Sequence, residues 1–242
     1  MDYKSMSEKL KDLLMLENDI VGVKMLKDNK LLKGYDSNKK YTFCQFIMKA
    51  RQGEKLIANS ENISCANGSS ALGFMPVPEK LMNGEFLEKL GSFNKESGKK
   101  TMGLMPRFEQ GKFSGIALAP LGKADFDPDI IILETVPEKL MWLSLTTIYE
   151  KGGRLEFTSS ISNGTCVDTT VVPFIEQKLN VTLGCYGCRN ATNIPDNHLL
   201  AGFPANQMYG IIKAIEKINE KAMPRTREKK AYSRLNEMEN PE

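Results

Sequence analysis

The chain has 242 residues, 41% of them hydrophobic and 26% charged, with a net charge of +3. That length can bury a sizeable core in one large domain, and the composition excludes general disorder. The charge is too small to argue for a nucleic-acid partner, and no stacking aromatics interleave the one basic run, Arg225 to Arg234, apart from Tyr232. That run is read as part of a charged C-terminal tail, 223–242, following a single domain over 1–222.

The first residues, MDYKSMSEKL, carry acid at Asp2 and Glu8 and lack the apolar stretch of a signal peptide. The longest uncharged apolar runs, such as Ile130 to Leu133, are strand-sized, so no membrane association is expected. A cytoplasmic protein is the expectation. Its five cysteines would then be reduced, catalytic or metal-bound rather than disulfide-bonded.

Ser7 and the stripe Leu10, Leu13 and Leu14 predict a helix over 8–17. Alternation of Val21, Val23 and Met25 predicts a strand over 20–27, followed by a polar loop to 40. Thr42 is placed to cap a helix whose apolar face is Phe43, Phe46, Ile47 and Ala50 and which stops at Gly53. A short strand at 55–58 leads into a small-residue loop, ENISCANGSSALGF, and Pro78 begins another helix. Residues 91–101 read as a loop. Residues 113–121 and 129–134 read as strands, the second apolar on both faces. Pro137 opens a helix that ends at Gly152-Gly153. RLEFTSS reads as a strand, then ISNGTC as a turn, a mixed stretch over 167–176 with a short helix, and a strand over 180–184. The last helix spans 205–221, ahead of Pro224.

Helix, glycine, strand, small loop and cysteine succeed one another over 42–65 and again over 137–166, and VPEKLM occurs at both 77–82 and 136–141. The copies of VPEKLM fall at different places in the two units. An internal duplication and a coincidence of helix starts both stay open. The fold class is α+β, a single globule with a mixed sheet and flanking helices.

Cys65, Cys166, Cys185 and Cys188 lie in or beside turns of Gly, Asn and Ser, where backbone N–H groups can face a thiolate or cluster sulfide. Cys44 lies on a helix and reads locally as a core residue. Cys185-x-x-Cys188 follows a strand, but RNATNIPDNH after it is a poor helix, which argues against a thioredoxin-like pair. A zinc site would need a second CxxC or an HxxxH, and the only histidine, His198, reads as an exposed loop residue. No dinucleotide-binding glycine motif, phosphate loop or nucleophile elbow is present.

Val21-Gly22-Val23-Lys24, Phe43-Cys44-Gln45 with Ala50-Arg51-x-Gly53, Ser64-Cys65 with Ala71-Leu72-Gly73, Ala119-Pro120-Leu121, Pro128-Asp129-Ile130-Ile131 and Gly184-Cys185-x-Gly187-x-Arg189, in that order over about residues 15–220, resemble the DUF169 family of bacteria and archaea. The resemblance implies a cytosolic prokaryotic protein and no particular activity. It places Cys44, Cys65, Cys166, Cys185 and Arg189 on motif positions and Cys188 on a variable one.

Three functions follow as expectations. In the first, Cys44, Cys65, Cys166 and Cys185 ligate a 4Fe-4S cluster or other metal in a redox protein, and Arg189 offsets negative charge. In the second, Asn67-Gly68 and Asn163-Gly164, with Arg189, bind a small anion without metal. In the third, Cys185 is the nucleophile of a thiol enzyme, its pKa lowered by Arg189. The partners would be a small molecule or a redox protein.

Overall fold

The computed structural model describes residues 2–28 and 32–239. In chain order its helices are α1 (Tyr3–Leu14), α2 (Phe43–Arg51), α3 (Ala66–Ala71), α4 (Glu79–Met82), α5 (Glu85–Lys89), α6 (Lys95–Leu104), α7 (Pro137–Thr146), α8 (Val172–Glu176), α9 (Tyr186–Ala191), α10 (Met208–Asn219), α11 (Ala222–Arg227) and α12 (Lys230–Glu239). The strands are β1 (Val21–Leu26), β2 (Leu56–Asn59), β3 (Gly115–Pro120), β4 (Ile130–Thr135), β5 (Asn180–Thr182) and β6 (Leu199–Pro204). A π-helical stretch, Gly164–Val171, runs directly into α8.

The strands form one sheet in the order β2-β3-β1-β4-β6-β5, and every ladder is antiparallel. The fold is α+β, but its sheet is not the mixed one expected. Among the described residues, parallel pairing is confined to two single bridges, Asp36–Leu56 and Tyr41–Ile63. Side chains alternate across β4: Ile130 and Ile132 enter one core with α2, while Ile131 and Leu133 enter another with α1, α7 and α10. Both faces are therefore covered, which is why β3 and β4 are buried along their whole length.

The local chemistry explains most of these elements. Thr42 forms a full capping box with Gln45 at the start of α2. Asp2, rather than Ser7, caps α1 and accepts the Ser5 N–H at 3.1 Å. Of residues 91–101, expected as loop, those from Lys95 onward belong to α6, with Asn94 as cap. RLEFTSS joins no ladder; Asn180 instead clamps its Thr158, whose N–H and carbonyl bond the Asn180 side chain at 2.9 and 2.8 Å. The tail is helical through α11, and its Met223 is fully buried.

The sheet is palindromic about its central pair, β1 and β4. β3 and β6 flank that pair, each ending in proline and entering one 3-10 turn, Leu121–Lys123 or Ala205–Gln207. The first residue of each turn donates to the residue just before β1 or β4: Leu121 N–H to Ile20 at 2.7 Å, and Ala205 N–H to Asp129 at 3.0 Å. Outside them lie β2 and β5, each followed by a short helix capped by a cysteine, Cys65 for α3 and Cys185 for α9. The sheet thus has a symmetry of its own, in another register from the one read in the sequence. The counterpart of Cys65 is Cys185, not Cys166.

Candidate functional site

All five cysteines are free, and all five line one cavity of about 820 Å³ on the α2 face of the sheet. Cys44 is the second residue of α2, Cys166 lies in the first turn of the π-helix, and Cys188 is the third residue of α9. Cys65 and Cys185 do the work usually given to Ser, Thr, Asp or Asn. Their sulfurs accept the N–H of Gly68 at 3.5 Å and of Cys188 at 3.4 Å.

The sulfurs are not evenly spread. Cys185 Sγ lies 3.3 Å from Cys188 Sγ, and Thr165 Oγ1 lies 3.7 Å from Cys188 on another side. Cys44 is the second thiol neighbour of Cys188 and is itself held by Thr42 Oγ1 at 3.0 Å. Hydrogen bonds from Cys185 and Cys44 push the Cys188 thiol well below its ordinary value, and the same bonds, then burial, push Cys44 and Cys185 up. Burial pushes Cys166 up as well.

The wall opposite the thiols is apolar, built by Leu81, Phe86, Leu87, Leu90 and Phe93. Lys80 is the one charged residue among those that line the cavity.

The other expected site residues have structural work. Asn67 Nδ2 donates to Asn163 Oδ1 at 2.7 Å, and Asn163 Nδ2 returns to Asn67 Oδ1 at 3.2 Å. The Gly68 N–H is spent on Cys65, and Gly164 packs so closely that a Cβ there would meet Gly184 Cα at 2.9 Å. These residues clamp the two cysteine loops together, and Asn67, Gly68 and Asn163 also line the cavity. Arg189 donates to the carbonyls of Leu183, Pro195 and His198 and does not line the cavity. It shapes the loop that carries Cys185 rather than neutralising charge in the cavity.

His198, expected to be exposed, is buried and bonds Glu134 through Nδ1. Glu134 also receives Arg51 Nη1, while Arg51 Nη2 donates to Asn193 Oδ1 at 3.0 Å. With Gln45 Nε2 donating to the Ala191 carbonyl at 3.0 Å, this ties α2, and so Cys44, to the segment after α9.

Sequence reasoning set Cys188 aside and missed Asp168. Cys188 is the hub of the thiol trio, although the family motif leaves its position variable. Asp168, in the apolar run TCVDTTVV, is 2% exposed and accepts Ser159 Oγ at 2.6 Å and Thr182 Oγ1 at 2.7 Å. A charge inside an apolar run was the signal available. Burial pushes its carboxyl up to about 6, against the two hydroxyls that favour ionisation. A carboxyl held above its ordinary 3.8 adds stability fully below about pH 4 and loses it as pH rises through about 6. Asp168→Asn copies the protonated acid and should lack this loss. Urea unfolding should show the variant gaining on the wild type between pH 4 and 7, and parallel pH profiles would refute the assignment.

The DUF169 family profile, described as an uncharacterised ArCR family, matches residues 9–214. The chain belongs to the DUF169 family. A relative, the uncharacterized protein MJ0308 of Methanocaldococcus jannaschii, is 31% identical over 220 residues, covering 89% of this chain and 94% of that one. No solved structure matches the chain. The matched DUF169 span contains all five cysteines and Asp168. Among the described residues, no helix is long and apolar enough to cross a membrane.

Proposed function

We propose that this DUF169 protein is a cytoplasmic redox protein whose cavity holds an iron–sulfur cluster ligated by Cys44, Cys65, Cys166 and Cys185. The carrying observation is convergence: these four cysteines come from four separate elements, far apart in sequence, and line one cavity. Its lining residues include no carboxylate or imidazole. An all-sulfur donor set suits iron–sulfur clusters and other soft metals. Four thiolates on a single ion would stand about 3.8 Å apart for bonds of about 2.3 Å. Among the described residues, no group of three or more His, Cys, Asp or Glu is arranged to hold one metal ion. A multinuclear cluster, whose ligands bind different metals, makes no such demand for a common point and better suits the size of the cavity. When bound, the cluster would supply one-electron chemistry. The chain's own contribution is to keep the thiols dry, against the apolar wall, and to fix Cys65 and Cys185 by the N–H bonds their sulfurs accept.

Anaerobic purification, or reconstitution with iron and sulfide, tests this directly. The expected result is a brown protein with matched iron and acid-labile sulfide and a visible absorption band that bleaches with dithionite. Cys65→Ser and Cys166→Ser should each lower the bound iron several-fold, whereas Cys188→Ser should retain it. A colourless, iron-free wild type after reconstitution would overturn the reading.

A further inference from the structure

A cluster with four cysteine ligands leaves one of the five thiols over, Cys188, and it stands against the ligand Cys185. Cys185 and Cys188 stand at the cap and third position of the same helical turn, with sulfurs 3.3 Å apart and no atom between them. Positions three apart in one turn have Cα atoms about 5 Å apart, inside the range a disulfide spans. The Cys188 N–H already bonds Cys185 Sγ, which fixes the Cys185 rotamer toward its neighbour. Cys188 is 1% exposed and Cys185 8% exposed, and both face the cavity. This is the arrangement of an attacking thiol with a resolving thiol behind it. The helix after them is short, Tyr186–Ala191, but its first turn is formed, and only that turn is needed.

We propose that Cys185 and Cys188 are a reversible dithiol–disulfide couple that withdraws Cys185 from the site when it oxidises. The oxidant is a small-molecule disulfide that enters the cavity. Cys185, the more exposed of the two, attacks one of its sulfurs while its proton passes to the adjoining Cys188 sulfur, forming a mixed disulfide and releasing one small thiolate, which takes up a proton from water. The Cys188 sulfur then attacks Cys185 Sγ, forming the protein disulfide and releasing the second thiol with the proton that Cys188 had accepted. One protein dithiol and one small disulfide become one protein disulfide and two small thiols. A dithiol reductant reverses the sequence. The disulfide stands on the geometry of the pair alone; its effect on ligation rests on the proposed cluster.

The test begins with metal-free, full-length protein incubated with 2-hydroxyethyl disulfide, then alkylated and digested with trypsin. Both thiols fall in the single peptide Leu179–Arg189. The expected product is that peptide two hydrogens lighter and unalkylated, with Cys44, Cys65 and Cys166 alkylated, and with full reversal by dithiothreitol. Cys188→Ser should instead trap a mixed disulfide on Cys185. A disulfide joining Cys44 to Cys188, or a Leu179–Arg189 peptide that stays fully alkylated while denatured protein oxidises, would overturn the pair. In a second arm, oxidised wild type should take up several-fold less iron and sulfide than reduced wild type, while Cys188→Ser treated with the disulfide and then with a mild monothiol should not differ from its untreated form. Equal uptake by oxidised and reduced wild type overturns the withdrawal of Cys185. A reduced wild type that takes up no iron overturns the cluster reading and the withdrawal with it, and the peptide masses still decide the disulfide.

Discussion

Replacing Arg51 by methionine is expected to lower folding stability by about 3–5 kcal/mol, the usual cost of removing one partner from a buried ion pair. The two side chains concerned are almost completely enclosed, 6% exposed for Arg51 and 1% for Glu134. Glu134 also accepts Asn18 Nδ2 at 3.2 Å and bonds His198, so its carboxylate is well supplied with hydrogen bonds, yet Arg51 is the permanent cation it touches. Methionine fills much of the space and supplies no charge. The loss should therefore come from an uncompensated carboxylate rather than from a cavity. Urea unfolding at pH 7 measures it. Arg51→Met with Glu134→Gln should recover at least half of the loss, because the orphan charge is gone. If the double variant is no better than the single one, the cost lies in packing and in the lost bond to Asn193, not in electrostatics.

This network also shows why part of the molecule could be read from the sequence and part could not. Signals that lie within a few residues were legible. Thr42 announces α2, and the unbroken apolar run in DIIILE announces a strand buried on both faces. The small residues around Cys65, Cys166 and Cys185 marked them as candidates for one site, and the structure brings them to one cavity. Cys44 entered only by the family resemblance, since its neighbours Phe43, Phe46 and Ile47 are core residues and make it look like one. Partners distant in sequence were not legible. His198 is buried only because Glu134, on another strand, receives it. RLEFTSS has strand-like alternation, but Asn180 takes up the backbone groups of Thr158 that a ladder would use, and Leu155 and Phe157 are left 37% and 42% exposed. β6 escaped notice because HLLAGFP carries Gly202 in its middle and Pro204 at its end, both weak strand formers.

Gly202 has a further consequence, since alanine at this position is expected to cost more than about 3 kcal/mol, beyond ordinary overpacking. A Cβ there would stand 2.0 Å from the Thr169 carbonyl oxygen, 2.6 Å from its carbon and 2.7 Å from its Cα. These are backbone atoms, so no rotamer change relieves the contact. Nor can the π-helix that carries Thr169 easily withdraw. Asp168 beside it is bonded to Thr182 of β5 at 2.7 Å, Asn180 Nδ2 holds the Asp168 carbonyl at 2.8 Å, and Gly164 at its start is packed against Gly184. Stretches of π-helix are rare and concentrate at functional sites, and here the wide turn runs its backbone directly onto β6 while presenting Cys166 to the cavity. Alanine would have to part β6 from the π-helix by about an ångström or more, and Cys166 would move with it. Gly202→Ala should therefore lower both the urea midpoint and the iron bound on reconstitution. Gly210→Ala is the matched control: it lies in α10 with nothing within 4 Å of an added Cβ, and should be neutral or stabilising by up to about 1 kcal/mol. If Gly202→Ala unfolds with the wild type while Gly210→Ala behaves as expected, the Thr169 carbonyl is free to yield, and the rigid seating of the π-helix that places Cys166 opposite Cys185 would have to be abandoned.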